Sequence, residues 1–316
     1  MIPAINGLSI DIGGTKTAYG IVCNSNSIRK KWVVMNLSNN MQELVNGVCD
    51  EILKVIGIQK LDFVAIDIPG SVGENNIVTS APNISGSKNF DLVREVEKKT
   101  GFRPFIIDDR ASAVIAEAEF LKSRNLISLI IGTGVGAGIV LEGTVLNLVR
   151  PVAGSVGWNL YGDFSGKTSK AIKLEDEISG KSIERIFNGA QEIAAKTKMT
   201  TTEKNAKADL GAVFKQFDSG TELLSGFLSK IVNRVSIEIV NLVNTLMPDY
   251  VILNGKVGLG VSKRFANRIQ LFVKSNCNPI ASENVRVEMS ALGENAFLIG
   301  LWLYATQPKF RKYRNR

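Results

Sequence analysis

A short glycine turn near the start of the chain brings together residue types that can hold an anion. The run Asp11–Thr17 (Asp-Ile-Gly-Gly-Thr-Lys-Thr) lies between the apolar stretches Leu8–Ile10 and Ala18–Val22, a pattern typical of a strand, a tight turn and a second strand. Glycine lets backbone N–H groups approach a phosphate closely, because it has no side chain in the way. A nearby carboxylate can hold Mg²⁺ through water. These parts suit phosphoryl transfer from a nucleotide; an ordinary Gly-Gly hairpin turn is the structural alternative.

The residue types that are absent narrow the chemistry further. The 316 residues include no histidine, which excludes catalysis by imidazole and the Ser-His-Asp and Cys-His classes of nucleophile. The three cysteines, Cys23, Cys49 and Cys277, lie far apart and form no Cys-x-x-Cys pair, so a Cys/His zinc site is not expected. Proton transfer would therefore fall to a carboxylate, Lys, Tyr or Cys.

Length and composition predict a globular protein of two domains. The chain is too long for one comfortable core, and 45% of its residues are hydrophobic while 22% are charged. Its apolar stretches are shorter than the roughly 18 residues that a membrane span needs, and residues 1–6 show no signal pattern, so we expect a cytoplasmic protein without a membrane partner. The net charge is +8, but its dense cluster is the tail Lys309–Arg316, interpreted as a solvated terminus, and no nucleic-acid partner is predicted.

Strand and helix patterns alternate along the chain. Apolar runs predict strands, the first three successive and antiparallel, at Leu8–Ile12, Ala18–Val22, Lys31–Val34, Asp62–Ile68, Phe105–Ile107 and Tyr250–Leu253. Apolar residues at helical spacing predict helices at Met41–Ile56, Asp91–Thr100, Ala111–Leu121, Leu228–Leu246 and Gly293–Thr306. Residues 254–260 predict a glycine loop after the last strand, and another helix is predicted to follow it. The polar, lysine-rich stretch Ser165–Asp209 predicts a mostly helical surface lobe.

The opening pattern returns in the middle of the chain. The apolar run Leu126–Ile131 leads into the glycine loop Gly132–Gly138 and a second strand at Ile139–Leu141, and Glu142-Gly143 predicts a hairpin turn into a strand at Thr144–Leu148. The spacing Gly-x-Gly-x-Gly-x-Gly before a strand fits neither the dinucleotide fingerprint nor the P-loop pattern. A strand–glycine turn–strand unit in each half indicates two related halves that face one another across a cleft.

Taken in order, these motifs resemble those of the ROK family (repressors, open reading frames and kinases), a branch of the actin-like sugar-kinase superfamily. The resemblance runs nearly end to end and rests on Asp11–Thr17 and Gly132–Gly138 (phosphate motifs), Ile68–Gly70 and Ala81–Ile84 (sugar-side loops), Asp108–Ala113 (the family's Asn-Asp-Ala-Asn stretch), Leu174–Gly180 (the tail of the zinc segment) and Asn254-Gly255 (the adenosine-side glycines). It implies an α/β fold of two lobes, built from duplicated ribonuclease-H-like domains with a central cleft. The N-terminal lobe would be residues 1–109 with a C-terminal helix at about 295–316, and the C-terminal lobe residues 110–294.

The chain departs from the family pattern on the sugar side. The family usually carries Gly-Glu-x-Gly-His, whose Glu and His bind the sugar and whose His also holds zinc, whereas this chain has Gly154–Trp158 with Ser155 and Trp158 at those two positions. The family's cysteine-rich zinc knuckle is replaced around Ser165–Lys173, so no zinc site is expected. Asp108 stands where the family has Asn, which adds a carboxylate to the expected sugar pocket.

The resemblance implies a sugar kinase that uses ATP and Mg²⁺, with Asp109 as the catalytic base. In phosphoryl transfer the protein mainly positions the reactants and stabilises charge, while one base accepts the proton of the hydroxyl. Because Asp109 precedes the predicted helix Ala111–Leu121, capping of that helix is the structural alternative for its side chain. Asp11 would hold Mg²⁺ through water, and a turn-capping role is the alternative there.

Two further groups of residues follow from the resemblance. The residues expected around ATP are Gly13, Gly14, Thr15, Lys16, Gly132, Thr133, Gly134, Gly255, Lys256 and Val257. The residues expected to face the sugar are Gly70, Asn83, Asp108, Ser155, Trp158 and Glu175. For Asn83 a turn after Pro82 is the alternative, and Trp158 either stacks on a sugar ring or belongs to the core. The carboxylate of Asp108 leads to the hypothesis that the substrate carries an amine.

Three classes of function remain for comparison. An ATP-dependent kinase of a hexose or of an amino or N-acetyl hexosamine uses every phosphate motif, and the resemblance also implies a homodimer. A ROK transcriptional repressor would carry an N-terminal helix-turn-helix, for which the expected first strand at Leu8 leaves no room. A sugar-binding or regulatory protein with impaired catalysis is the alternative that the missing Glu and His favour.

Overall fold

Strands and helices alternate over the residues that the computed structural model describes, 5–25, 27–162, 171–197, 208–218 and 222–312. The strands are β1 (Gly7–Ile12), β2 (Lys16–Asn24), β3 (Ser27–Met35), β4 (Phe63–Ile68), β5 (Ser71–Val72), β6 (Val78–Ser80), β7 (Phe105–Asp108), β8 (Leu126–Ile131), β9 (Val135–Leu141), β10 (Thr144–Val145), β11 (Leu160–Tyr161), β12 (Ile172–Lys173), β13 (Tyr250–Asn254) and β14 (Arg286–Met289). The helices are α1 (Met41–Ile56), α2 (Leu92–Thr100), α3 (Asp109–Leu121), α4 (Leu146–Val149), α5 (Leu174–Ile178), α6 (Gly180–Thr197), α7 (Leu210–Asp218), α8 (Glu222–Leu246), α9 (Gly255–Asn276), α10 (Pro279–Asn284), α11 (Asn295–Thr306) and α12 (Pro308–Arg311). None of these helices combines the length and the apolar character that crossing a bilayer requires.

The chain divides into two compact units. Unit 1 comprises Met1–Ser128, Gly138–Gly154 and Ser290–Arg316, and unit 2 comprises Leu129–Ala137 and Ser155–Met289. The division expected from the sequence placed α3 in the C-terminal lobe, whereas α3 belongs to unit 1. The reason is its close packing on α11, where a Cβ atom at Gly300 would lie only 1.7 Å from the carbonyl oxygen of Ser112.

Unit 1 is built on a five-stranded sheet with the strand order β3-β2-β1-β4-β7. Strands β1, β2 and β3 pair antiparallel, as predicted. On its other side β1 pairs parallel with β4, and β4 pairs parallel with β7. The buried side chains of β1 and β4 share one core with the apolar faces of α1 and α2. Helix α1 has its predicted bounds because its apolar residues recur on one face and Asn40 caps its N-terminus. The predicted end of α2 at Gly101 is confirmed, with φ at 76°.

The second five-stranded sheet has the order β10-β9-β8-β13-β14. The predicted turn at Glu142-Gly143 is confirmed, and both residues have positive φ, 49° and 75°. The strand predicted at Thr144–Leu148 is wrong beyond Val145, because α4 begins there. The buried Asn147 side chain turns back instead, accepting from the N–H of Ile139 (2.9 Å) and donating to the carbonyl of Ala153 (3.0 Å).

The third glycine loop, predicted at residues 254–260, is also wrong. Helix α9 begins at Gly255, directly after β13, and Asn254 is its N-cap. The glycines of this stretch serve packing, since a Cβ atom at Gly260 would lie 2.7 Å from the Phe214 ring. The polar lobe predicted at Ser165–Asp209 is helical in α5 and α6, while its residues 165–170 and 198–207 lie outside the described residues.

Candidate active site

The first glycine turn joins β1 to β2 and is braced from the end of β3. The N–H of Gly13 donates to the carbonyl of Lys16 (2.9 Å), and a Cβ atom at Gly13 would lie 2.7 Å from that oxygen. The Asn36 side chain donates to the carbonyl of Gly13 (2.9 Å) and accepts from the Thr17 hydroxyl (2.8 Å). The turn therefore requires glycine, and Asn36, which the sequence analysis missed, fixes its shape.

The tip of this turn is open to solvent. Thr15 is exposed, while Gly14 and Lys16 are partly exposed. The ammonium group of Lys16 lies 3.0 Å from a carboxylate oxygen of Glu294, and both side chains are about half exposed. An exposed ion pair of this kind contributes little to stability, so the Lys16 side chain can exchange its partner for another anion at small cost.

A pair of carboxyl groups lies at the carboxyl ends of β1 and β4. Asp11 and Asp67 stand opposite one another in the register of these parallel strands, and Asp67 is fully buried. Burial raises the pKa of Asp11 to about 6, although Asp67 and Lys16 both act to lower it. Burial, and then the charge of Asp11, raise the pKa of Asp67 well above its usual range. Burial of this pair therefore favours the protonated form of Asp67.

Asp67 was not among the predicted site residues. A signal was present in the sequence, because a single charged residue interrupts the otherwise apolar and fully buried strand β4. A buried carboxyl group needs a hydrogen-bond partner, and Asp67 interacts with the hydroxyl of Ser112 in α3. That partner lies 45 positions away along the chain.

The consecutive residues Asp108 and Asp109 have different roles at the start of α3. Asp108 is the N-cap, and its fully buried carboxylate accepts from the N–H of Ala111 (3.1 Å) and from the guanidinium of Arg110 (3.2 Å). The capping role that was the alternative for Asp109 thus falls to its neighbour. Asp109 is the first helical residue and is partly exposed. Burial raises the pKa of Asp109 to about 7, the charge of Arg110 lowers it, and the charges of Asp108 and Asp11 raise it.

The two loops expected to face the sugar also belong to unit 1. Gly70 follows β4, where a Cβ atom would lie 2.2 Å from the carbonyl oxygen of Ser80, and its own carbonyl accepts from Arg110 (3.1 Å). Asn83 is partly buried in a turn that the N–H of Ile84 closes by donating to the carbonyl of Ala81 (2.9 Å). The turn predicted as the alternative for Asn83 is therefore present. Unit 1 thus holds Asp11, the first glycine turn, Asp108, Asp109 and both of these loops.

In unit 2 the second glycine loop is held by backbone hydrogen bonds and by close packing against the start of α9. Gly132 donates its N–H to the carbonyl of Gly134 (2.9 Å) and accepts from the N–H of Gly180 (2.7 Å). Gly255 has φ at 75°, and a Cβ atom there would lie 2.6 Å from the carbonyl oxygen of Ile131. The structure therefore places Gly132–Gly134 beside the start of α9, where Lys256 is exposed and Val257 is buried.

Glu175 connects this loop to the short helix α5. The N–H of Val135 donates to the half-buried Glu175 carboxylate, and burial raises the pKa of that carboxylate. Packing is close around the contact, since a Cβ atom at Gly157 would lie 2.5 Å from the carbonyl of Val135 and 3.2 Å from the Glu175 carboxylate. Glu175, expected at the sugar, thus also bonds to the backbone of the second glycine loop.

We call residues 155–162 and 171–178, which include Ser155 and Trp158, the Trp158 segment. This segment lies at the surface of unit 2. The indole of Trp158 is 57% exposed, which excludes the core position that was one of its two alternatives. The ammonium group of Lys173 lies 3.2 Å from the centroid of the Trp158 ring, a cation–π contact. Ser155 is partly buried, and its carbonyl accepts a hydrogen bond from the N–H of Trp158 (3.0 Å).

A polar stripe on α8 anchors the Trp158 segment. The fully buried carboxylate of Glu238 accepts from the side chain of Asn159 (2.9 Å) and from the hydroxyl of Tyr161 (2.6 Å). The carbonyl of Asn159 accepts from the N–H of Leu174 (2.9 Å), which ties the two halves of the segment together. These bonds satisfy a carboxylate that would otherwise be costly to bury.

Two basic residues extend the same stripe at helical spacing. Lys230 (2.7 Å) and Arg234 both pair with Glu177 of α5, and the Arg234 guanidinium lies 4.9 Å from the centroid of the Tyr161 ring. Lys230, Arg234 and Glu238 are four residues apart, so they share one face of α8.

Among the described residues, no group of three or more Cys, Asp or Glu side chains is arranged to hold a metal ion.

Comparison with known proteins identifies the family. The model of the ROK family matches residues 7–307, so the chain belongs to this family. It is 24% identical over 264 residues to a glucokinase of Thermotoga maritima, covering 81% of this chain and 83% of the relative. It is 26% identical over 302 residues to an N-acetylmannosamine kinase of Haemophilus influenzae, covering 93% of each.

Solved structures agree with the fold. A ROK family glucokinase from Streptomyces griseus, in complex with glucose and AMPPNP, superposes with a TM-score of 0.77 at 20% identity, over 94% of this chain and 97% of that one. The α/β fold of the actin-like class expected from the sequence is confirmed.

Proposed function

We propose that this ROK protein is an ATP-dependent sugar kinase, which transfers the γ-phosphate to a hydroxyl of a hexose or of an amino or N-acetyl hexosamine. One observation carries the proposal: Asp109 is a partly exposed residue that is not the N-cap of α3, and burial raises the pKa of its carboxyl group to about 7. A base with a pKa near the working pH is well suited to accept the proton of a sugar hydroxyl.

The phosphate side of the proposed site comprises the two glycine turns. Gly13, Gly14, Thr15 and Lys16 of unit 1 would bind phosphate by N–H, hydroxyl and ammonium groups. Gly132, Thr133 and Gly134 of unit 2 would bind phosphate by N–H and hydroxyl groups. Gly255 and Lys256 would lie beside the adenosine. Asp11 fits as the carboxylate for Mg²⁺ through water, because it is partly exposed near the carboxyl end of β1, next to the first glycine turn. Mg²⁺ would neutralise charge on the phosphates.

The sugar side would comprise Gly70, Asn83, Ser155, Trp158 and Glu175. The ring of Trp158 is exposed, and a sugar would stack on the face that the Lys173 ammonium group does not cover. Asp108 does not support the hypothesis of an amino substrate, because Arg110 already balances its buried charge. Within the proposed substrate class, neutral and N-acetylated hexoses are therefore preferred over amino hexoses. On the family resemblance alone we further propose a cytoplasmic homodimer.

The experiment is an ADP-release assay with ATP, Mg²⁺ and a panel of glucose, mannose, glucosamine, N-acetylglucosamine and N-acetylmannosamine. We expect at least one sugar to stimulate ADP release, and Asp109→Asn to lower kcat by about 10²–10⁴-fold. A folded Asp109→Asn protein with near-normal kcat would refute the assignment of the base.

A second candidate function is a sugar-binding or regulatory protein with impaired catalysis. The observation that favours it is Ser155 and Trp158, which stand where the family usually has Glu and His. The same panel separates the two candidates. Sugar binding by calorimetry, without ADP release from any sugar, would favour the second.

A further inference from the structure

Arg110 is the second residue of α3 and directly follows Asp109. Its side chain is only 10% exposed, so a permanent positive charge is held out of water next to two carboxylates. Such a charge is costly to bury unless its N–H groups find acceptors. The position was not singled out in the sequence, where Arg110 is one basic residue among many.

The guanidinium of Arg110 donates to acceptors in three parts of unit 1. Nε donates to the carboxylate of Asp108 (3.2 Å), Nη2 to the carbonyls of Gly70 (3.1 Å) and Pro151 (2.8 Å), and Nη1 to the carbonyl of Ala153 (3.1 Å). Gly70 lies in the turn after β4, and the other two carbonyls lie in the turn after α4. Only arginine presents donors in a rigid fork that reaches several acceptors at once.

We propose that Arg110 is a positioning residue, which fixes the Gly70 turn and the Pro151–Ala153 turn relative to the base Asp109. The inference rests on the proposed function, in which Asp109 is the base and Gly70 faces the sugar. A displaced Gly70 turn would weaken sugar binding and leave ATP binding unchanged, because the acceptors named above lie in Asp108, the Gly70 turn and the Pro151–Ala153 turn, and not in the glycine turns expected to bind phosphate.

Arg110 also acts on Asp109 through its charge. The charged groups that influence the pKa of Asp109 are Arg110, which lowers it, and Asp108 and Asp11, which raise it. The charge of Asp109 in turn raises the pKa of Asp67. Loss of the guanidinium therefore moves the pKa of Asp109 upward, whereas a lysine at position 110 keeps a positive charge nearby.

The experiment compares Arg110→Gln and Arg110→Lys with wild type across pH 5.5–9, using the sugar that the wild type phosphorylates. For Arg110→Gln we expect the sugar KM to rise about tenfold or more and the acidic limb of kcat/KM to move to higher pH. Arg110→Lys should raise the sugar KM and leave the acidic limb in place. The KM for ATP should stay within about twofold of wild type in both. Arg150→Gln, which removes the same charge from an exposed residue of the neighbouring turn, is the matched control and should change neither.

Several results would overturn the inference. A folded Arg110→Gln protein with the wild-type sugar KM and acidic limb would do so, as would an equal rise of both KM values. Where Arg110→Gln does not fold, an unchanged sugar KM in Arg110→Lys overturns it. An active wild type with an inactive Asp109→Asn and unaffected Arg110 variants refutes the role of Arg110 alone. A wild type that transfers no phosphate refutes the proposed function and this role together.

Discussion

Replacement of Glu117 by Gln should stabilise the protein above neutral pH, by an amount that grows between pH 4.5 and 7. Glu117 lies in α3, is only 1% exposed, and its carboxyl group is bonded to the hydroxyl of Ser290, which accepts the N–H of Gly293 (2.7 Å). Burial raises the pKa of Glu117 from 4.5 to about 7, and the bond to Ser290 lowers it only in part.

The sign follows from the proton bound in each state. Below pH 4.5 the carboxyl group of Glu117 is protonated in both the folded and the unfolded chain. Between pH 4.5 and about 7 the unfolded chain releases this proton and the folded chain retains it, so the free energy of unfolding falls as the pH rises. At about 1.4 kcal/mol per pH unit, the loss reaches about 3 kcal/mol by pH 8. Gln carries no charge at any pH, so its variant escapes this loss.

The assay is urea unfolding of wild type and Glu117→Gln at steps from pH 4.5 to 8.5. The difference in the free energy of unfolding, variant minus wild type, should rise by about 3 kcal/mol over this range and then level off. Glu119→Gln is the control on the same helix. Lys309 and Lys122 lower the pKa of Glu119, so its removal should weaken the protein slightly at neutral pH. A difference for Glu117→Gln that does not change with pH would refute the reasoning.

The two remaining predictions concern residues that anchor parts of the candidate site, and both are tested by steady-state kinetics. Glu238→Leu leaves Asn159 and Tyr161 without the carboxylate that accepts their hydrogen bonds, so the sugar KM should rise about tenfold while the KM for ATP stays unchanged. The sugar KM of Glu238→Gln should lie between those of wild type and Glu238→Leu. An unaltered sugar KM in Glu238→Leu would contradict the anchoring role of α8. Asn36→Ala removes the brace of the first glycine turn, so the KM for ATP should rise several-fold. Asn46→Ala, on the exposed face of α1, is its control, and equal KM values in the two variants would contradict the brace.

Local patterns in the sequence were sufficient for much of the fold. The apolar periodicity of Met41–Ile56 predicts α1 to the residue, since one buried face and an N-cap determine both its existence and its start. The glycine turn at Gly13 was recognisable because close backbone approach excludes a side chain there. The loop at Gly132 was recognisable because it repeats the strand–glycine turn–strand pattern of the first turn. The glycines at 255–260 could not be interpreted from spacing alone. Whether they form a loop or pack a helix depends on residues remote in sequence, which are Phe214 for Gly260 and Ile131 for Gly255.

The unpredicted site residues are those whose roles depend on long-range contacts. Asn36 meets Gly13 only because β3 lies beside β2, and Asp67 meets Asp11 only through the register of β4 on β1. Arg110 finds its three carbonyl acceptors named above 40 to 43 positions away, in both chain directions. The choice between Asp108 and Asp109 as cap likewise depends on a start of α3 that cannot be located to one residue from sequence. Among these, only Asp67 left a sequence signal.

Transfer of labelled γ-phosphate from ATP to a sugar is the most direct measurement of the proposed activity. With wild-type protein, ATP and Mg²⁺, we expect label in a sugar phosphate for at least one hexose or N-acetyl hexosamine. We expect a loss of about 10²–10⁴-fold in rate for Asp109→Asn. Sugar binding without any labelled sugar phosphate, or equal transfer by wild type and Asp109→Asn, would contradict a kinase that uses Asp109 as its base.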